Sequence, residues 1–224
     1  MEAVAILIEW GRYLLSGISI TMGLVISALA IGFLLGLAIS LAQVYGIRPL
    51  RAAADVYVWF FRGLPVLVLL FMFYYGVFPA LGLDLSAFVI GAVVLGMRGA
   101  AYQSQIFRGS IQSISEGQMT AALSLGMTKR AAIKAIILPQ ALRISLPSLS
   151  NEYPEILTDS AVCYAIGVME LLTRTSVIVS QTYVTLPIYA ACAGIFILLN
   201  YAGMQAISKV EKKFAIPGFG IAAG

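Results

Sequence analysis

Two stretches of the chain carry no charged residue, one between Arg12 and Arg48 and the other between Arg174 and Lys209. Each exceeds the roughly 20 predominantly apolar residues that cross a bilayer as a helix, so the pattern predicts membrane-spanning helices. Tyr13 to Ile47 is too long for one upright span and too short for a hairpin of two, which needs about 40 residues plus a turn. It reads as one long, tilted helix. A second span begins after Arg51, runs through the FRGLP segment at Phe61 to Pro65 and ends near Phe78 and Pro79. A third extends from about Ser86 to Phe107 and contains Arg98. The fourth, from about Ile133 to Val168, is interrupted by Pro139, Pro147 and Pro154, and the fifth runs from Leu186 or Pro187 to just before Lys209. The expected fold is an all-α integral membrane protein of five transmembrane helices, forming a single transmembrane domain over residues 1–224.

Basic residues orient such a chain, because Lys and Arg accumulate on the cytoplasmic side. Arg48 and Arg51 lie in the first connection, Arg108, Lys129, Arg130 and Lys134 flank the loop after the third span, and Lys209, Lys212 and Lys213 follow the fifth. The opposite side holds Arg12 and Arg174, and the turn around Asp84 has neither Lys nor Arg. The expected topology therefore places the N-terminus outside and the C-terminus in the cytoplasm. Met1 to Trp10 carries Glu2 and Glu9 with no basic segment before the apolar run, unlike a cleavable signal peptide. The longest hydrophilic connection, about residues 108–134, is cytoplasmic on this reading.

Composition sharpens the class. Hydrophobic residues make up 61% of the 224 and charged residues 11%, far from the half-apolar, quarter-charged balance of a soluble domain. There is no His, which excludes imidazole catalysis and His metal sites. The two cysteines, Cys163 and Cys192, sit in apolar stretches and read as small packing residues. The net charge of +4 resides at span ends rather than on a continuous stripe, so nucleic acid is not an expected partner. No G-x-x-x-x-G-K-[ST] segment is present to cradle the phosphates of ATP.

In the long connection, Gly117 to Gly126 reads GQMTAALSLG, with helix-favouring Ala and Leu and a Gly suited to end a helix. A short amphipathic helix is expected there, with Met119, Ala122 and Leu123 on one side. That side could lie in a groove on a partner, on the chain's own membrane domain or in the lipid interface.

Among the ionisable residues placed within spans, where charge is costly and functional roles concentrate, the densest group is Asn151, Glu152, Glu155 and Asp159. Helical spacing lines up the three carboxylates on one face, with Asn151 beside Glu155. Such a stripe requires water, a basic partner or a cationic ligand, and it is expected to face a wet path, with a cationic side chain favoured there. If the chain bends at Pro154, the same carboxylates become solvated loop charges. Arg62, beside the helix-breaking Gly63 and Pro65, could grip a substrate carboxylate or tie helices together. Arg98, between Gly96 and Gly99, reads as structural, and Gly32 with Gly36 forms a G-x-x-x-G pair suited to close helix contact.

The connection also resembles the cytoplasmic loop of the membrane subunits of ATP-binding-cassette importers, in which EAA, three residues, Gly, nine residues and I-x-L-P follow in order. Here Thr120-Ala121-Ala122, Gly126 and Ile136-Ile137-Leu138-Pro139 keep that spacing. LGMT followed by IILPQA, FRGLPVLVLLFMFYYG at Phe61 to Gly76, AYQSQIFRGSI at Ala101 to Ile111 and DSAVCYAIGVMELLTR at Asp159 to Arg174 are similar to the branch that imports polar amino acids. The resemblance spans about Ser16 to Phe214 and includes the NE pair at Asn151 and Glu152. It implies a permease subunit, not an enzyme in its own right, in the cytoplasmic membrane of a prokaryote. It implies that Thr120, Ala121, Ala122, Leu123, Gly126 and Met127 engage an ATPase, Ala121 and Ala122 being small enough to sit deep in its groove. Asn151 and Glu152, which match the family's pair, are with Glu155, Asp159, Arg62 and Gln105 the candidate residues of the substrate path. The implied partners are a dimer of cytoplasmic ATP-binding subunits, a second permease subunit, identical or sister, an extracytoplasmic solute-binding protein, membrane lipid and an amino acid substrate. ATP and Mg belong to the ATPase, and this chain binds no cofactor.

The chain departs from the family at Thr120, where the family has Glu, and often at Gln105, Leu69 and Thr158, where the family has Glu, Gln and Lys. A channel or secondary transporter, passing an ion or proton along the carboxylates without an ATPase, is the competing reading of the same residues.

Overall fold

Every described element is helical in the computed structural model, which describes the backbone of residues 2–214 and the side chains of residues 6–213. The first helix, α1 (Glu2–Tyr45), is 44 residues long. At 1.5 Å per residue it measures roughly 66 Å, about twice the bilayer core, so it tilts or projects beyond it. It starts earlier than the charge-free stretch predicted, because Glu9 and Arg12 on an exposed helical turn do not oppose helix formation.

The expected second span is not one helix. α2 (Arg48–Gly63) and α3 (Val66–Ala80) meet at 110°, with Leu64 and Pro65 extended between them. Proline supplies no donor and pushes the residue before it out of the helical region, so Leu64 ends α2. Hydropathy, which carries no direction, reads the two helices as one. α4 (Ala87–Gln112) begins at Ser86, whose hydroxyl accepts from the Val89 amide.

A short helix, α5 (Glu116–Ser124), follows, and then α6 (Lys129–Ser150). The predicted fourth span is also divided. α6 stops at Asn151, α7 (Glu152–Ile166) continues, and a further helix, α8 (Leu171–Thr182), departs at 51°. The break before α8 is made by Gly167 at φ +84°, a left-handed conformation open to glycine. The last helix is α9 (Thr185–Phe214).

Two prolines leave a common signature. Wide π-type turns at Met72–Val77 and Ile133–Ile137 lie immediately before Pro79 and Pro139. Each relieves the clash of the ring with the carbonyl four residues back while the helix continues.

By length and composition α1, α6 and α9 can cross a membrane, and counting each bent pair as one span raises the number to five. α4, the expected third span, has 26 residues but dilutes its apolar run with Arg98, Gln103, Gln105 and Arg108. Large apolar side chains remain exposed on the outer helices, such as Leu34, Ile197 and Leu198, as lipid-facing surfaces require.

The packing centre is α4 against α1. A methyl group added at Gly36 would lie 3.0 Å from the Ala100 carbonyl oxygen, and one at Gly32 would lie 2.6 Å from the Gln103 amide nitrogen. The G-x-x-x-G pair therefore makes the close contact that its spacing suggests. One turn away, a methyl at Gly96 would sit 2.6 Å from Ile31 Cβ. At one end of the bundle the Arg174 guanidinium lies 4.7 Å from the Tyr13 ring. At the other, Lys129 covers the Tyr45 ring at 5.5 Å, and Arg108 stands 4.0 Å from Asp55. Cys163 and Cys192 are buried and unpaired, as packing residues.

Glu170 shows how α8 is held. It is fully buried and caps the helix, accepting from the amides of Leu172 at 2.8 Å and Thr173 at 2.6 Å and from the Thr173 hydroxyl at 2.9 Å. The first amide of α8, at Leu171, donates to Thr21 of α1 over 3.1 Å. Glu170→Ala removes the cap and leaves two amides unpaired, a loss of about 1–2 kcal/mol. The expected result is a lower Tm of the detergent-solubilised protein.

Candidate functional site

The carboxylates of α7 and the arginines of α2 and α4 meet midway along the bundle. Spacings of three and four residues put Glu152, Glu155 and Asp159 on one face of α7. Arg98 and Tyr102 share a face of α4 by the same rule. Arg98 Nη1 bonds Asp159 Oδ2 and lies 3.4 Å from Glu155 Oε1, while Nη2 donates to the Tyr102 hydroxyl at 3.4 Å. Arg62, at the end of α2, brings its guanidinium to 4.9 Å from the Tyr102 ring, the same distance as Arg98. The Tyr57 hydroxyl sets α2 in place by donating 2.7 Å to the Met97 carbonyl, one residue before Arg98.

Arg98 supplies the basic partner that the stripe of carboxylates requires, although its sequence context suggested a structural role. Its two acidic contacts lie 57 and 61 positions away in the chain, so only its four-residue spacing from Tyr102 is visible locally. The helix does break at Asn151, yet Asp159 reaches the middle of α4 and does not become a loop charge. Glu152 is buried, Glu155 half-exposed, and Asn151 and Arg62 exposed. Three carboxylates against two guanidiniums leave a formal excess of one negative charge.

Gln105 stands apart from this group. It donates 3.0 Å to Gln43 of α1, which donates 2.8 Å to Asp55 of α2, so it joins a polar chain tying α1, α2 and α4 near the end that carries Lys129. Arg143, which falls inside the predicted fourth span, lies on the exposed side of α6, in an open groove of about 250 Å³ with Ala135, Ile136, Pro139 and Gln140.

The second candidate surface is α5. It starts at Ser115, whose hydroxyl accepts from Gly117 N at 3.3 Å. The Thr120 hydroxyl instead donates 3.1 Å to the Glu116 carbonyl one turn back. The end is a complete Schellman motif, with Met127 N bonded to Ala122 O at 3.1 Å and Gly126 N to Leu123 O at 3.0 Å. Gly126 takes φ +83°, the conformation that the motif demands of it.

Met119 packs beside Ile111, Ile137 and Ala141, and Ala122 is only 1% exposed. The helix therefore rests on its own membrane domain through those two residues, and the small side chain of Ala122 serves that seat and does not reach outward. Leu123 and Leu125 point away, 46% and 83% exposed, alongside exposed Thr120, Ala121 and Gly126 and half-buried Met127.

Residues 28–216 match the family described as binding-protein-dependent transport system inner membrane component. The chain is 34% identical over 208 residues to a probable amino-acid ABC transporter permease of Bacillus subtilis, covering 93% of this chain and 92% of that one. It is 32% identical over 210 residues to a probable glutamine ABC transporter permease of the same species, covering 94% and 97%. An octopine transport system permease of Rhizobium radiobacter is 29% identical over 215 residues, with 91% of each chain covered. Among solved structures, an amino acid ABC transporter described with histidines aligns at a TM-score of 0.82 and 33% identity, over 92% of this chain and 96% of that one. An all-helical bundle with a capped loop helix and a match over most of its length, the chain belongs to the binding-protein-dependent transport system inner membrane components, as a permease subunit of the amino-acid ABC transporter type.

Proposed function

We propose that the chain is the permease subunit of an importer that moves a polar amino acid across the cytoplasmic membrane of a prokaryote by alternating access. It spans that membrane five times, through α1, α2 with α3, α4, α6 with α7, and α9, with the N-terminus outside and the C-terminus and α5 in the cytoplasm. The observation that carries the reading is the cluster of Arg62, Arg98, Tyr102, Glu152, Glu155 and Asp159. It joins three helices and remains open on one side through Arg62 and Glu155.

A second permease subunit, identical or sister, closes that side and completes the path. Two cytoplasmic ATP-binding subunits bind ATP and Mg, and each receives one α5 on the surface formed by Thr120, Ala121, Leu123, Leu125 and Gly126. A solute-binding protein delivers substrate from outside, and lipid surrounds the assembly. The relatives named for glutamine and octopine support a polar amino acid as cargo. Arg98 answers two of the carboxylates from which a cationic preference was expected, and the cluster keeps one negative charge in excess.

The test is reconstitution of the complex in proteoliposomes with its binding protein outside and ATP inside. The expected result is amino acid uptake that requires ATP and is accompanied by stimulated hydrolysis. Uptake by this chain alone, without an ATPase, would replace the importer reading with that of a channel or secondary transporter.

A further inference from the structure

Arg98 reaches the α7 carboxylates from the middle of α4 and engages Asp159 and Glu155 with a single nitrogen, Nη1. A substrate guanidinium or ammonium entering the cluster would seek those same oxygens. We infer that Arg98 is a specificity-determining residue: a tethered guanidinium fills the place of a cationic side chain, so the site selects an uncharged polar amino acid. This rests on the importer reading and names the substrate class within it.

The geometry favours the tethered cation over a free one. Arg98 is attached to the site's own wall, whereas a dissolved cation must give up translational freedom to take its place. Its side chain is 17% exposed, against 42% for Glu155, so the guanidinium is seated behind the acid that faces the opening. Arg98 leans on the Tyr102 ring at 4.9 Å, and Arg62 takes up the same ring at 4.9 Å. A displaced Arg98 would be crowded by that second cation, which raises the cost of moving it aside.

A carboxamide or hydroxyl meets a different surface. It can donate to the exposed carboxylate of Glu155 while the pair between Arg98 and Asp159 stays intact. An anionic side chain encounters Glu152, Glu155 and Asp159 together and is repelled. An uncharged polar side chain therefore gains a bond at Glu155 without competing for the carboxylate that Arg98 occupies.

The experiment measures binding of L-glutamine, L-arginine and L-glutamate to the detergent-purified permease–ATPase complex by competition calorimetry. The solute-binding protein is left out, so its own preference does not enter. Wild-type complex is expected to bind L-glutamine about tenfold or more tightly than L-arginine or L-glutamate. Arg98→Gln should reverse the order in favour of L-arginine, and Arg98→Lys, which keeps the charge, should preserve the wild-type order. Arg98→Gln leaves Asp159 without its partner and can compromise folding, so Arg98→Gln with Asp159→Asn is the second variant. It should bind the neutral and cationic amino acids alike.

Wild-type preference for L-arginine, or an unchanged preference for L-glutamine in Arg98→Gln or in the double variant, overturns the inference. Failure of all three amino acids to bind a complex whose ATPase still responds to loaded binding protein also overturns it, and leaves the importer intact. Loss of that ATPase response in the wild type is the separate outcome that removes the importer reading itself.

Discussion

Leu123→Asp combined with Leu125→Asp is expected to abolish coupling while leaving the membrane domain folded. Both side chains are exposed, at 46% and 83%, and neither supports the seat of α5 on the bundle. Surface changes of this kind alter stability by about 0.5 kcal/mol or less. Two carboxylates placed where apolar groups should enter a partner's groove would instead be desolvated without partners, which costs several kcal/mol. The variant should insert and keep the wild-type Tm, fail to retain the ATPase on purification, and show only basal ATP hydrolysis in vesicles. Ala122→Arg offers the contrast. That position is 1% exposed within the chain's own packing, so the substitution should lower Tm as well as coupling. Retention of the ATPase and full substrate-stimulated hydrolysis in the double Asp variant would remove α5 from the coupling route.

An equally large effect, on folding and not on coupling, is expected at Gly203. A Cβ there would overlap the ring of Tyr153, which is itself buried and donates 2.8 Å from its hydroxyl to the Leu199 carbonyl. The ring is pinned by that bond between α7 and α9 and cannot swing aside without breaking it. Gly203→Leu therefore forces α9 away from the helix that bears the carboxylates, beyond the roughly 1–3 kcal/mol of ordinary overpacking. The chain should fail to accumulate as a monodisperse species in fluorescence-detected size-exclusion chromatography. Gly203→Ala with Tyr153→Ala, which vacates the ring, should recover part of the yield. Wild-type yield and Tm in Gly203→Leu would contradict this packing of α7 on α9.

How legible these features were in the sequence depends on whether their cause is local. The charge-free stretches announced α1 and α9, and Gly126 announced the end of α5, because each follows from neighbours within a few residues. The bend between α2 and α3 was half legible. Pro65 forecast a break, but the 110° turn depends on what the two helices pack against. α8 was hidden because Glu170 resembles a loop charge until its caps to Leu172 and Thr173 are visible. In the cluster, the 152, 155, 159 spacing exposed the shared acidic face. The Arg98 that answers it could not be assigned, because its partners lie on another helix far along the chain. Gln105 illustrates the reverse: a residue picked out by its position proves to hold Gln43 and, through it, Asp55.

The close seating of α1 on α4 has a mechanical consequence. Where Gly32 and Gly36 admit Ala100 and Gln103, and Gly96 admits Ile31, backbone and side chains interlock at van der Waals distance with no slack for sliding. The two helices move as a single strut. In the alternating-access cycle proposed above, opening and closing of the path would fall to the joints at Leu64–Pro65 and Gly167, where the helices change direction by 110° and 51°. Arg98 rides on the strut and its carboxylates on α7, which ends at the Gly167 joint, so in that cycle the ion pair would report the angle between a fixed part and a moving one.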